Sequence, residues 1–196
     1  MSSSIFPKYV LSNYEVHEWR HACAILKEAY PKELKDIIDV LSQFKLCKSY
    51  IDSGGGRKSK VSMNIDDFLY KKGWIEKKFD TSIVVDNVKR DAPTHKVDCF
   101  KNSIALEIEW NNKDPFYDRD LNNFRLLFEL RVVSVGVIVT RCDNLQQIFD
   151  NLNRGSSYGQ STTHMSKLLP KIEGGGSGGC PILVFGISDK LYDPSC

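Results

Sequence analysis

Residues 103–110 read SIALEIEW, and the alternation in that stretch decides the fold. Successive side chains of a strand point to opposite faces. Ile104, Leu106 and Ile108 therefore face one way, and Ala105, Glu107 and Glu109 the other. The stretch is a strand with one apolar and one acidic face. Two carboxylates side by side on a strand repel unless a cation sits between them.

Asp98 lies upstream in HKVDCFKN, separated from Glu107 by eight residues in the pattern D-x8-E-x-E. It falls on the neighbouring arm of a hairpin, where folding brings its carboxylate toward the same spot. Three hard oxygen ligands on a rigid sheet suit Mg²⁺, with Mn²⁺ as a substitute. Such an ion polarises a phosphate and acidifies water. A lone E-x-E is otherwise an ordinary solvated strand face.

Downstream, RDLNNFRLLFEL at 119–130 reads as an amphipathic helix with Asp118 or Asp120 near its cap. The β-branched run at 131–140 then reads as a buried strand parallel to 103–110, with the helix as crossover. A helix at 143–152, a polar loop RGSSYGQSTTH, a helical turn at 165–172, the loop GGGSGG at 174–179 and a last strand at 181–187 complete this half.

Upstream, 81–86 reads as a strand and 64–73 as a short helix ending on Gly73, preceded by the basic loop SGGGRKSK at 53–60. Residues 14–45 read as helix, split at Pro31. The expectation is an α/β protein of the α+β type: a central mixed β-sheet flanked by helices, in one domain over 1–196. Its N-terminal helices occupy 1–50 and its core 80–190.

The 196 residues, 41% apolar and 27% charged, describe an ordinary globular chain. No run of apolar residues is long enough to span a membrane. No basic region followed by an apolar core opens the chain, so a cytoplasmic location is expected. Six cysteines, with no CxxC pair, read as reduced thiols rather than a zinc knuckle. A net charge of +2 neither supports nor excludes nucleic acid, because clustered carboxylates offset a basic face.

The stretch KVDCFKNSIALEIEWNNKDPFYDRDLNNF resembles the BglII/BstYI family of type II restriction endonucleases, within the PD-(D/E)xK nucleases. KKGW at 71–74 and GGGSGGCPILVFGI at the last strand are similar too. The likeness covers roughly 50–190 and is strongest over 96–140. It implies a restriction-endonuclease-like core and an Mg²⁺-dependent homodimer that cuts palindromic double-stranded DNA. GATC-centred sites, 5′ overhangs and a cognate DNA methyltransferase in the same host are also implied. Asp98 and Glu107 are the implied metal ligands, and Glu109 a ligand or a group that orients water. Glu109 departs from the lysine of the broad superfamily and from the glutamine frequent in this family. Metal ions must then carry more of the chemistry.

Candidate DNA contacts follow. Asn111, Asn112 and Lys113 come directly after the acidic strand, and asparagine suits adenine as lysine suits guanine. Arg57, Lys58 and Lys60 lie in a glycine-rich loop suited to phosphates. Ser156, Ser157, Tyr158, Gln160, Thr162, Thr163 and His164 form a polar loop resembling a base-approaching segment of the family. The resemblance puts helix 119–130 at a dimer interface, although Phe124, Leu127, Phe128 and Leu130 suit a core equally. Glu33 or Asp36 is a candidate for an additional acid near the metal.

His17-Glu18-Trp19-Arg20-His21 matches HExxH, the zinc-protease signature, if it is helical. The motif is short, and no sequence around it suggests a cleft. A degenerate DNA-binding relative would have no need of clustered carboxylates. A repair or recombination nuclease could share the same core, but the likeness over 96–140 favours restriction.

Overall fold

The computed structural model describes residues 5–53, 58–91 and 94–196. In chain order the elements are α1 (Lys8–Asn13), β1 (Tyr14–Trp19), α2 (Ala22–Ala29), α3 (Pro31–Gln43), β2 (Leu46–Cys47), α4 (Lys48–Asp52) and α5 (Lys60–Lys71). Then come β3 (Ile75–Lys77), β4 (Ser82–Val85), β5 (Val88–Asp91), β6 (Val97–Lys101), β7 (Ile104–Glu109) and α6 (Pro115–Glu129). The last are β8 (Val135–Arg141), α7 (Gln146–Asn151), α8 (Met165–Glu173), β9 (Ile182–Ile187) and β10 (Tyr192–Asp193).

Six strands form a mixed sheet in the order β1-β9-β8-β7-β6-β3. β7, β8 and β9 run parallel, while β6 and β1 flank them antiparallel. The expected β7–α6–β8 crossover is present. The alternation of β7 sorts as read. Ile104, Leu106 and Ile108 join one core with the N-terminal helices, and Ala105 joins the other with α6 and α8. Both faces of the central strands are therefore covered, and the acidic face of β7 is buried beneath α6 rather than solvated.

Three expectations are corrected, and the strand expected at 81–86 is present but outside the main sheet. Residues 14–19 are a strand, not the start of a helix: β1 pairs with β9, and Arg20 and His21 then turn through left-handed backbone (φ 54 and 60°) into α2. Alternation in YEVHEW is outweighed, in the sequence, by the helical spacing that follows it. Helix α6 begins at Pro115, a residue preorganised for the first helical position, with Asp114 before it. Asp120 thus lies inside the helix. The strand at 82–85 pairs only with β5, in an exposed hairpin apart from the main sheet. Finally, Cys47 and Cys196 form a disulfide, with Cα atoms 4.9 Å apart. The parallel pairing of β10 with β2 brings them together from 149 residues apart, which spacing alone does not reveal. The other four cysteines are free and buried. No described helix is long and apolar enough to cross a membrane.

Candidate active site

The antiparallel ladder of β6 and β7 is closed at one end by Asn102 and Ser103, both at positive φ, and runs as far as Cys99–Leu106. Beyond that pair the strands part. A register irregularity between β3 and β6 sets four β6 residues (Val97 to Phe100) against three of β3 (Ile75 to Lys77), which twists this arm locally. Side chains take over the backbone hydrogen bonds at the opening. The Asp98 N–H donates to Glu107 Oε2 at 3.2 Å, and the Ile108 N–H donates to Asp98 Oδ2 at 3.1 Å.

Glu107 is 1% exposed, and its Oε1 has no hydrogen-bond partner. Burial first, then the nearby Asp120 and Asp98, raises its pKa well above the ordinary value. Glu109, also 1% exposed, accepts from Asn112 Nδ2 at 2.7 Å and Arg119 Nη2 at 3.3 Å. Burial and Asp120 push it up to about 9. Asp120, fully buried, takes Arg119 at 2.7 Å through Oδ1, while its Oδ2 is unpartnered. Arg119 thus bridges two carboxylates of a three-carboxylate cluster and stacks on Phe116 at 4.3 Å.

Among the described residues, no three His, Cys, Asp or Glu side chains stand in a ready metal-binding arrangement. The donor set nevertheless fits a divalent cation. Two buried carboxylate oxygens, Glu107 Oε1 and Asp120 Oδ2, lack partners, and Asp120 raises the pKa of both Glu107 and Glu109. A hard cation relieves both defects.

Asp98 alone of the three acids expected from the sequence lines a cleft of about 1000 Å³. The same cleft is walled by Lys58, Lys60, Asn111, Asn112, Ser157 and Tyr158. Two segments far apart in sequence are joined there: Lys113 bridges Thr162, the Thr163 N–H donates to the Asn112 carbonyl at 2.8 Å, and the Asp114 N–H to the Ser161 carbonyl at 3.1 Å. Lys113 and Ser156 are exposed outside the cleft wall. Thr162, Thr163 and His164 are buried, and Tyr158 stacks on Phe149 with ring centroids 4.1 Å apart. These four brace the loop, and of its candidate DNA contacts Ser156, Ser157 and Gln160 are exposed. Arg57 lies outside the described residues.

Glu33 and Asp36 sit at the other end of the hairpin: Glu33 accepts from Asn102, and Asp36 from Trp74 and Lys101. The helix acid beside Asp98 is Asp66 of α5, 1% exposed, paired with Lys58 and accepting from the Cys99 thiol at 3.2 Å. Burial pushes Asp66 up to about 6 even with Lys58 beside it. Sequence reasoning misses Asp66 and Asp120, although each falls on the apolar stripe of its helix. Tyr117, Leu121, Phe124 and Leu127 surround the register of Asp120, and Val61, Ile65 and Leu69 that of Asp66. It also misses Arg154, which lines the cleft with an unpartnered Nε.

The HExxH reading fails on backbone geometry. His17 and Glu18 are on a strand, and His21 follows a left-handed turn, so the histidines are not one helical turn apart. His17 pairs instead with Glu15 at 2.6 Å, and Glu18 accepts from the Cys23 N–H.

A family model described as restriction endonuclease BglII/BglIII matches residues 14–187. No curated protein matches the chain.

Proposed function

The chain belongs to the BglII/BglIII restriction endonuclease family and is a type II site-specific deoxyribonuclease, and from that premise we propose that Asp98, Glu107 and Glu109 form its catalytic centre, with Mg²⁺. The observation that carries this reading is the orphaned Oε1 of buried Glu107 directly behind Asp98, at the wall of a cleft that also presents Lys58, Lys60, Asn111 and Asn112. A divalent metal held by Asp98 and Glu107 would polarise the scissile phosphate and lower the pKa of the attacking water.

The protein's own part is to hold the acids and the DNA. Asp98 meets the DNA backbone, being the carboxylate that reaches the cleft. Glu109, steadied by Asn112 and Arg119, orients the water. Attack at phosphorus in line with the departing 3′ oxygen leaves a 5′ phosphate. Lys60, with Lys58 beside it on Asp66, offsets backbone phosphates, and Asn111 and Asn112 reach base edges through the amide atoms that the buried Asn111 Oδ1 and the Asn112–Glu109 bond leave free. The acting species is a homodimer on a palindromic, GATC-centred site, cut to leave 5′ overhangs, in a host carrying a matching DNA methyltransferase.

Digestion of an unmethylated phage DNA of known sequence, with Mg²⁺ or with EDTA, tests this reading. Discrete fragments that vanish with EDTA, with sequenced ends at a GATC palindrome, support it. DNA left intact in Mg²⁺ and Mn²⁺ alike sinks it.

A further inference from the structure

A second pocket, of about 440 Å³, shares a boundary with the cleft. Tyr158 lines the cleft, while Gly159 and Gln160 line the pocket, so the loop at 155–164 runs between the two. Arg141, at the end of β8, forms part of the pocket wall and is only 1% exposed. Its Nη2 donates to the Tyr158 carbonyl at 2.8 Å and to Thr162 Oγ1 at 2.9 Å. Its guanidinium lies 5.3 Å from the Phe149 ring and 5.9 Å from the Tyr158 ring.

Among the described residues no carboxylate is within ion-pair distance of Arg141, and its Nε has no hydrogen-bond partner. A buried cation with no carboxylate at ion-pair distance is unfavourable unless something compensates it, and Asp143, which acts on Arg141 from further away, offsets its burial only in part. Gln146, Gln160, His164, Ser166 and Lys167 also line this wall and can each donate, although Gln146 already donates to Asp150 and to the Gly155 carbonyl. Asp143 is the one acid on this wall among the described residues, and it is already occupied. The Ser166 N–H and hydroxyl and His164 Nδ1 all bond to it, at 3.0, 2.7 and 2.7 Å. With Nδ1 donating to Asp143, His164 Nε2 donates as well when the ring is protonated. Among the described residues the Lys167 ammonium has only Asp114, at 4.0 Å.

We propose that this pocket binds a phosphate group, with Arg141 as its buried counter-charge and Lys167, His164 and Gln160 as its donors. The phosphate is either one of the DNA backbone, reached across the loop from the cleft, or a free phosphate ion. The first source rests on the DNA-cleaving function, and the second does not.

The experiment has two arms, each run on the wild type and on the rim variants Lys167→Ala and Gln160→Ala. Arg141→Lys is added where it folds. In the first, binding of the cognate duplex in EDTA is scanned with single neutral methylphosphonates and over a salt series. In the second, inorganic phosphate is titrated while the melting temperature is read. With a backbone phosphate in the pocket, one methylphosphonate weakens the wild type about tenfold, the scale of one charge-assisted hydrogen bond. Lys167→Ala is then indifferent to that substitution, and its salt slope falls by about one. With free phosphate as the ligand, inorganic phosphate raises the melting temperature of the wild type but not of Lys167→Ala, and no methylphosphonate separates the two proteins. If the wild type and the rim variants agree in both arms, the pocket binds no phosphate. A wild type without affinity for any duplex overturns the DNA-cleaving function, and the phosphate titration alone then decides the pocket.

Discussion

Asp98 and Glu107 brace each other across the gap where β6 and β7 separate: the backbone N–H of Asp98 donates to the Glu107 carboxylate, while the Asp98 carboxylate accepts the N–H of Ile108. Two strands that kept their ladder would have no room for a carboxylate between them. By parting after Cys99–Leu106, they leave backbone donors that hold two acids together against their repulsion. What remains uncompensated, Glu107 Oε1, is the feature that calls for a cation.

The carboxylate cluster should make the metal-free protein sensitive to alkali. Glu109 is pushed from the usual carboxylate range up to about 9 by burial and by Asp120, so the folded protein holds this proton more tightly than the unfolded chain. Its stabilising contribution is complete below the unfolded value of 4.5 and is lost as pH rises through about 9. Denaturant unfolding in EDTA should therefore show stability falling across that window, and Glu109→Gln should flatten the fall. An identical pH slope in wild type and variant would contradict the assignment.

Arg119 should act through Glu109 and Asp120 rather than on DNA. Arg119→Ala removes the only cation that bridges them among the described residues. Cleavage should fall by roughly 10–100-fold, the range for a partner that orients a metal ligand. The loss should appear largely as a higher Mg²⁺ requirement, read from a Mg²⁺ titration of the cleavage rate. A reduced rate with an unchanged Mg²⁺ midpoint would point to a different role.

Lys58→Met strands Asp66, which is 1% exposed and already raised to about 6. Because Lys58 is itself partly exposed, the expected loss of stability is modest, about 1–2 kcal/mol. It should shrink below pH 6, where Asp66 takes up a proton. Urea unfolding at pH 5 and pH 8 measures the difference.

The bridge between Cys47 and Cys196 predicts four titratable thiols in the denatured, unreduced protein and six after reduction. Cys196→Ser should cost about 2–4 kcal/mol, since the bridge closes a long loop of the unfolded chain. Six thiols before reduction would exclude it.

The β6–β7 hairpin is legible in the sequence because its information is local. Alternation in SIALEIEW sets which residues share a face, and the hairpin brings Asp98 back to Glu107. Strands β8 and β9 are legible as apolar, β-branched runs buried on both faces. The parts that escape are settled by tertiary pairing. YEVHEW is a strand only because β9 offers it an edge. Asp66 and Asp120 become neighbours of the candidate site only once α5 and α6 are laid against the hairpin. Thr163 reads as a polar loop residue, but its backbone pairs with Asn112 and its side chain is fully buried. Glu33 looks suitable as an extra acid by residue type, yet α3 carries it to the turn of the hairpin rather than to its open end.

The most direct test is Glu107→Gln, which keeps the shape of the side chain and removes its charge. Cleavage of the cognate duplex in Mg²⁺ and its binding in EDTA should be measured on the same preparation. The account predicts binding close to wild type, with a cleavage rate reduced by more than the roughly 10–100-fold of an outer partner such as Arg119. Cleavage by Glu107→Gln at the wild-type rate would contradict it.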